Sequence, residues 1–573
     1  MNIESTYKKW LDAARNSDFF NELVFMTEPE INEAFYKDLE FGTGGFRGII
    51  GAGTNRMNIY TVGKATQGLC DYLKYKDSSP SVAIAYDSRV NSELFARYAA
   101  GVIAANGGSA HIFPELMPTP LLSFAVRKLG CTAGIVITAS HNPAEYNGYK
   151  VYGSDGCQIT LNAADSIQLF INKVDIFSDV RTTPFEKAVD AGSIKYISPE
   201  LQEEYYNQVL QCSVNSEILA ESDLRVIYTP LNGAGNKPVR EILTRGGLKN
   251  LLTVPEQEHP DGSFTTCQKP NPENHDAFAL SLDLGERMNA DLLLATDPDC
   301  DRAGIAVKNG TGYVFLTGNE VGCLLLNYML SQKIEKGILP NNPVVVKTIV
   351  TSKMADMIAM KYGARVIDTL TGFKYIGEQI GLLEQAHEEG GYILGFEESY
   401  GYLPEIFVRD KDAVSASLLI CEMAAFYKKY NQTLLEVLNN LYEKYGYWKH
   451  KLLSFAFEGA NGLKSMQAIM NHFRIGAYED YAGLQIIKTD DYLKSITTNT
   501  VTHETGSLLL PKSDVLLLSL EENCEIVIRP SGTEPKLKCY LTVRAKEGNQ
   551  ANKMLEELEN DFSSKLRLLE NCE

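Results

Sequence analysis

Short apolar runs that stop abruptly at small or charged residues set the rhythm of this chain. Gly134-Ile135-Val136-Ile137 runs into Thr138-Ala139-Ser140-His141-Asn142-Pro143. Asp291-Leu292-Leu293-Leu294-Ala295 runs into Thr296-Asp297-Pro298-Asp299-Cys300-Asp301-Arg302, and Gly391-Tyr392-Ile393-Leu394 into Gly395-Phe396-Glu397-Glu398-Ser399-Tyr400-Gly401. Four to eight apolar residues bounded by turn formers read as buried strands feeding loops. Open α/β sheets bind ligands outside the carboxyl ends of their strands. A hydroxyl, a carboxylate cluster and sugar-type hydrogen bonders at three such ends therefore predict one shared cleft.

Around these runs the pattern alternates between strand and helix periods. Helices are expected near Thr6–Ala14 and Glu30–Asp38. Strands at Val82–Tyr86, His111–Phe113 and Gly134–Thr138 enclose helices at Ser92–Ala105 and Pro120–Leu129, the signature of a doubly wound, largely parallel domain. The order restarts at Leu224–Tyr228 with a helix near Lys237–Arg245. It restarts again with helix Glu320–Leu330, strand Val344–Ile349, helix Ser352–Tyr362 and strand Arg365–Asp368. From about residue 446 the character changes to an α+β tail. Its strands are Leu452–Phe457, Val515–Leu520, Glu525–Ile528 and Leu537–Val543, and its helices lie near 462–474 and 549–568. The expected architecture is α/β: three mixed α/β sandwich domains plus a smaller α+β C-terminal domain around a central cleft. The boundaries fall at 1–215, 216–317, 318–445 and 446–573.

Length agrees, since 573 residues exceed one core and about three to five domains is the natural expectation. A hydrophobic share of 44% with 22% charged residues leaves little room for extended disorder. The stretch Met1–Ser5 shows no basic, apolar leader, and Ala413–Tyr427, the most apolar helix, is too short to span a bilayer. A cytoplasmic protein without a membrane partner is expected. Eleven cysteines without CxxC pairs read as reduced thiols rather than a disulfide or zinc framework. A net charge of −19 argues against nucleic acid. It also demands that any phosphate site gather its own Arg and Lys. The sequence sets no oligomeric state.

The loops carry the chemistry. Asp297, Asp299 and Asp301 alternate, so three hard oxygen ligands can converge on one cation, favouring Mg²⁺ over zinc. An EF-hand loop fails, with Arg302 where Gly is needed and Lys308 where Glu is needed. A solvated acidic turn is the plain alternative. Ser140 can carry a covalent group, or it can merely satisfy backbone groups in a turn before Pro143. A Ser-His-Asp triad is disfavoured, because on an extended loop His141 points away from Ser140. A serine beside a metal or already carrying phosphate fits better, with His141 and Lys150 as candidates for proton transfer. Lys150, beside Asn147-Gly148, either returns to the cleft or lies exposed. Phe41-Gly42-Thr43-Gly44-Gly45-Phe46-Arg47-Gly48 reads as an anion-approaching loop with a fixed arginine, or as a tight turn. Arg529-Pro530-Ser531-Gly532-Thr533-Glu534-Pro535 offers a phosphate cradle between two strands.

Five stretches in this order, FGTGGFRG at 41–48, TASHNP at 138–143, DPDCDR at 297–302, FEESYG at 396–401 and RPSGTEP at 529–535, resemble the α-D-phosphohexomutase superfamily. The chain looks most like its bacterial α-phosphoglucomutase and phosphoglucomutase-2-like branch. The resemblance implies a mutase that interconverts α-D-glucose 1-phosphate and glucose 6-phosphate. It implies a phosphorylated Ser140, Mg²⁺ held by Asp297, Asp299 and Asp301 with that phosphoserine, and glucose 1,6-bisphosphate as intermediate and activator. Catalytic roles fall to Ser140, His141, Lys150 and Arg47. Substrate contacts fall to Thr43, Arg47, Arg302, Gly372, Lys374, Glu397, Ser399, Lys411, Arg529, Ser531, Gly532 and Thr533. A phosphopentomutase or phosphomannomutase would share these motifs. A silent sugar-phosphate-binding protein and, more weakly, a metal-dependent phosphatase are rivals of another kind. Many members carry glycines between the metal aspartates, where this chain has Pro298 and Cys300.

Overall fold

The computed structural model describes residues 2–570 apart from 16, 18, 43, 78, 458, 477 and 532–535. The chain divides into two compact units, Met1–Val344 with Phe373–Thr433, and Val345–Gly372 with Leu434–Glu573. Among the described residues no helix is long and apolar enough to cross a membrane.

In the first unit, helices Ile3–Ala13, Phe19–Phe25 and Glu28–Phe35 close around Trp10, Leu23 and Phe35. A six-stranded sheet follows, built from β1 (Phe46–Ile49), β2 (Ser81–Tyr86), β3 (Ser109–Ile112), β4 (Ala133–Ile137), β5 (Tyr146–Gly153) and β6 (Ile194–Tyr196). Its order is β1-β5-β4-β2-β3-β6. β4, β2, β3 and β6 are parallel, whereas β5 runs antiparallel to β4, and β1 to β5. The sheet is thus mixed rather than largely parallel. β4 is buried throughout, with helices Ser92–Ala105 and Thr119–Lys128 packed near it, which is why it reads as a continuous apolar run. Asn147-Gly148, a turn pair in sequence, lies inside β5 instead. The Asn147 amide donates to Val90 O and Ser92 Oγ, and a Cβ on Gly148 would sit 2.5 Å from Thr138 O. Side-chain bonds and a close backbone approach override the turn signal.

The second sheet contains β7 (Arg225–Thr229), β8 (Asn250–Thr253), β9 (Leu292–Thr296), β10 (Ala303–Asn309) and β11 (Gly312–Leu316), ordered β11-β10-β9-β7-β8. β9 and β10 form a hairpin, with Thr296 opposite Ala303, so Asp297–Arg302 is its connecting loop. Later in the same unit, Tyr392–Glu397 pairs with Gly401–Leu403, placing Glu397 opposite Gly401.

The second unit contains strand Arg365–Thr369 and helix Met354–Lys361. Its antiparallel sheet runs through Tyr447–Ala456, Lys536–Ala545, Glu525–Pro530, Leu516–Leu520 and Leu484–Asp491. Leu518, Ile526, Leu541 and Phe562 belong to its core, the last contributed by helix Gly548–Glu570. The four tail strands anticipated from sequence are present. The sequence does not announce Leu484–Asp491, Ile496–Asn499 and Thr505–Ser507, because they are rich in polar residues and only partly buried and leave no long apolar run to read.

Candidate active site

β4 ends at Ile137, and the chain turns sharply at Ser140, whose φ is +54°. Ser140 is buried. Its hydroxyl donates to Asp297 Oδ2 at 2.8 Å and lies 3.3 Å from His141 Nδ1. The expectation that His141 faces away is therefore corrected: it assumed an extended loop, and the left-handed turn brings the neighbouring side chains together. Burial, with Arg302 and Arg47 nearby, holds His141 well below the usual imidazole range, which favours the neutral ring. The other two strand-end loops share the device, with Cys300 at φ +53° and Tyr400 at φ +64°. Such a conformation costs an L-residue about 1–2 kcal/mol, and it persists only where packing over-determines it.

The carboxylates of Asp297, Asp299 and Asp301 are buried, with one oxygen of each lying within 4.8 Å of the others. Asp297 Oδ1 accepts the backbone N–H groups of Asp301 and Arg302, both at 3.0 Å. Asp299 Oδ2 accepts from Lys150 Nζ at 2.6 Å and Thr119 Oγ1 at 2.9 Å. Asp301 Oδ2 faces Lys411 and Lys150, whereas Asp299 Oδ1 and Asp301 Oδ1 are buried and have no hydrogen-bond partner among the described residues. Burial raises the Asp297 carboxyl well above the usual range, and repulsion from Asp301 and Asp299 adds to it. Unpartnered hard oxygens in a pocket crowded with like charge fit a divalent cation such as Mg²⁺.

Four cationic side chains border this pocket. Lys150 lies on β5, buried, so the exposed alternative does not hold. Burial disfavours its charge, but Asp299 and Asp301 outweigh that and raise the ammonium above its ordinary value. Lys150 is thus a proton-bearing group rather than a ready base. Lys411 Nζ lies 3.2 Å from Asp301 Oδ2 and 3.1 Å from Asp410 Oδ1. Arg302 pairs with Glu273, and Arg47 donates to Asn142 Oδ1 at 2.6 Å. Glu397 is buried near Lys411 and Arg302; burial raises its carboxyl, while those charges and the Ser399 hydroxyl pull it back. A backbone bridge between Arg302 and Gly401 ties the acidic loop to the Glu397 loop.

The glycine-rich stretch contains a tight turn. Gly42 and Gly45 exchange N–H···O bonds of 2.9 and 3.0 Å, so those amides are not free for an anion. Gly45 is needed for shape. Gly45 has φ +102°, and a Cβ there would lie 1.7 Å from Tyr149 O. Gly45→Ala should lower the thermal midpoint by roughly 5 °C or more, read by calorimetry, since neither strand can retreat without breaking the pairing beside Lys150. An unchanged midpoint would mean the turn refolds freely.

The first unit therefore brings together Arg47, Ser140, His141, Lys150, Asp297, Asp299, Asp301, Arg302, Glu397 and Lys411. Ser399 lies on the Glu397 loop, and Lys374 lies on helix Phe373–Gln385 of the same unit. Gly372, at φ +121°, belongs to the second unit. So do Arg529, on strand Glu525–Pro530, and Ser531, whose N–H donates to Lys536 O at 2.7 Å. Thr43, Gly532 and Thr533 lie outside the described residues. Sequence reasoning missed Thr119, whose partner Asp299 lies far away in the chain, and Asp410, which pairs with the adjacent Lys411 and accepts from the distant Tyr152 hydroxyl at 2.7 Å. It also passed over Asp87 and Arg89, although they too follow a buried strand.

Three family signatures match the chain: "Phosphoglucomutase/phosphomannomutase, alpha/beta/alpha domain I" over residues 38–176, domain II over 203–310 and domain III over 317–445. The chain is 36% identical to a phosphoglucomutase of Staphylococcus saprophyticus over 551 residues, 96% of this chain and 98% of that one. It is 36% identical to a phosphoglucomutase of Staphylococcus aureus over 548 residues, 94% of this chain and 95% of the other. The crystal structure of a putative phosphomannomutase from Thermus thermophilus has a similar fold, with a TM-score of 0.69 at 21% identity, covering 93% of this chain and 99% of that one. The open form of parafusin from Paramecium matches with a TM-score of 0.68 at 19% identity, covering 93% and 96%.

Proposed function

The chain belongs to the phosphoglucomutase/phosphomannomutase family, and on that premise we propose that it interconverts α-D-glucose 1-phosphate and glucose 6-phosphate through phosphoserine 140. The observation that carries the reading is the Ser140 hydroxyl 2.8 Å from Asp297, in a pocket whose Asp299 and Asp301 each keep one buried oxygen unpartnered. The staphylococcal phosphoglucomutases, alike over nearly the whole chain, support glucose as the sugar.

In the proposed cycle phosphorylated Ser140 gives its phosphoryl group to the free hydroxyl of the bound sugar phosphate, forming glucose 1,6-bisphosphate. The bisphosphate turns over, and its other phosphate returns to Ser140, restoring the phosphoenzyme. Asp297, Asp299 and Asp301, with Ser140, would hold Mg²⁺, which when bound would supply charge neutralisation at the phosphoryl group in transfer. Neutral His141 takes the proton of the attacking hydroxyl, and protonated Lys150 returns one to the departing oxygen. Arg47 and Arg302 hold phosphate oxygens, and Glu397, Ser399 and Lys411 grip sugar hydroxyls. Gly372 and Lys374 help to discriminate the two sugar orientations. Arg529, Ser531, Gly532 and Thr533 hold the phosphate that is not reacting, which orients the sugar for transfer.

A coupled assay of glucose 1-phosphate conversion, with and without glucose 1,6-bisphosphate, tests the reading. Conversion strengthened by the bisphosphate is expected, and an inert enzyme under both conditions overturns it. Equal or better kcat/KM on ribose 1-phosphate or mannose 1-phosphate would reassign the sugar. Glu397→Gln should lower kcat/KM for glucose 1-phosphate by about 10-fold or more, since a hydrogen bond to a buried charged group is worth about 1.5–3 kcal/mol. Unaltered kinetics in that variant would remove Glu397 from the sugar site.

A further inference from the structure

One buried charged pair has no part in the chemistry above. Asp87 and Arg89 follow β2, only 2% and 3% exposed, with Arg89 Nε 3.3 Å from Asp87 Oδ2. Both terminal nitrogens of Arg89 serve a single loop. Nη1 donates to the carbonyls of Pro143 at 2.8 Å and Tyr146 at 3.0 Å. Nη2 donates to those of Ser140 and Asn142, both at 2.5 Å. Asp87 accepts from Ser92 Oγ at 2.7 Å and from Thr138 Oγ1 at 2.6 Å. Thr138 Oγ1 in turn accepts the Ser140 N–H at 2.8 Å. The Arg89 guanidinium lies 4.9 Å from the centre of the Phe264 ring, so its far side is packed as well.

These bonds grip Ser140 from both sides of its peptide plane pair: its N–H through Thr138 and Asp87, and its C=O directly by Arg89. A residue with both backbone groups held cannot relax out of φ +54° without breaking a buried bond. Four carbonyls converge on one guanidinium only if the loop wraps around it, and that wrapping turns the serine side chain the other way, toward Asp297 and His141. A planar five-donor fork suits this task, whereas a lysine ammonium has three donors and no fixed plane.

We infer that Asp87, Arg89 and Thr138 form a positioning clamp that fixes the Ser140 backbone so that its Oγ points at the acidic cluster and His141. None of the three touches reacting atoms. The inference rests on Ser140 being the phosphoryl carrier, and it explains how a serine in a strained conformation keeps one orientation through two transfers. Phosphoryl transfer is mostly a matter of alignment, so a loosened serine loses rate rather than sugar affinity.

Thr138→Val, nearly isosteric, removes the hydroxyl that links Asp87 to the Ser140 amide while keeping the Arg89 contacts. Thr138→Ser restores that hydroxyl, and Arg89→Lys keeps the charge but loses the fork. Thr138→Val should lower kcat by ~10-fold or more with KM for glucose 1-phosphate within about threefold of wild type. Thr138→Ser should recover kcat, and Arg89→Lys should resemble Thr138→Val. Amide hydrogen exchange across residues 138–147 should quicken in Thr138→Val and Arg89→Lys but not in Thr138→Ser. A Thr138→Val enzyme with wild-type kcat and unchanged exchange overturns the clamp. A wild-type enzyme inert toward glucose 1-phosphate would instead sink the proposed function. Exchange would still decide the clamp then: quickened in Val and not in Ser upholds its hold on the loop, unchanged in both overturns it.

Discussion

Ser140→Ala is expected to abolish mutase turnover, to at least ~10³-fold below wild type, and to remove the phosphate mass increment from the purified protein. The size of the effect follows from the cycle rather than from any one contact. A nucleophile that stores the phosphoryl group between half-reactions has no substitute, and among the described hydroxyls it is Ser140 that bonds Asp297 Oδ2. The backbone should tolerate the change. Alanine strains at φ +54° about as serine does, and the Asp87, Arg89 and Thr138 bonds to the loop do not use the side chain. The thermal midpoint should therefore move by no more than roughly 3 °C. Intact-mass analysis alongside the coupled assay separates the outcomes. A phosphate increment that persists in the alanine variant would move the carrier elsewhere in the chain, and substantial residual turnover would do the same.

Much of this arrangement is legible in the sequence because it lies at strand ends. β4, β9 and strand Tyr392–Glu397 are buried throughout, so each appears as an unbroken apolar run, and the functional residues follow at once. The acidic loop was readable from alternation alone, since Asp297, Asp299 and Asp301 come from one short hairpin connection. What could not be read is what depends on distant pairing. Thr119 meets Asp299 from the start of a helix, and Lys150 reaches it from β5, an element hidden behind a turn-like Asn-Gly pair. The sequence misleads at His141 because a single left-handed residue reverses the side-chain geometry, and serine carries no sequence mark of that conformation. The glycine stretch is ambiguous for the converse reason. Glycine announces freedom, but not whether that freedom serves a ligand or, as at Gly45, the close approach of Tyr149.

Asp299→Asn should cut turnover by on the order of 10²-fold or more and raise the Mg²⁺ concentration needed for half-maximal activity, because the side chain serves two partners with one charge. Its Oδ2 holds Lys150 at 2.6 Å and Thr119 at 2.9 Å, while Oδ1 has no partner among the described residues. An asparagine can keep its oxygen toward Lys150 and Thr119, but its amide then faces the neighbouring carboxylates with N–H groups where a cation would need an oxygen. Turned the other way, it sets N–H groups against an ammonium. Lys150 retains Asp301, at 3.5 Å, as its ion-pair partner among the described residues. Folding should suffer little, because removing one of three crowded carboxylates relieves repulsion in a buried pocket. Thermal melting with and without Mg²⁺ distinguishes these effects. A ligand that binds only the folded state stabilises it by RT ln(1 + [L]/Kd), so the wild-type midpoint should rise with added Mg²⁺ and the variant's should rise less at the same concentration. A variant with wild-type activity at limiting Mg²⁺ and an undiminished melting shift would take Asp299 out of the metal site, leaving its carboxylate as the buried counter-charge of Lys150.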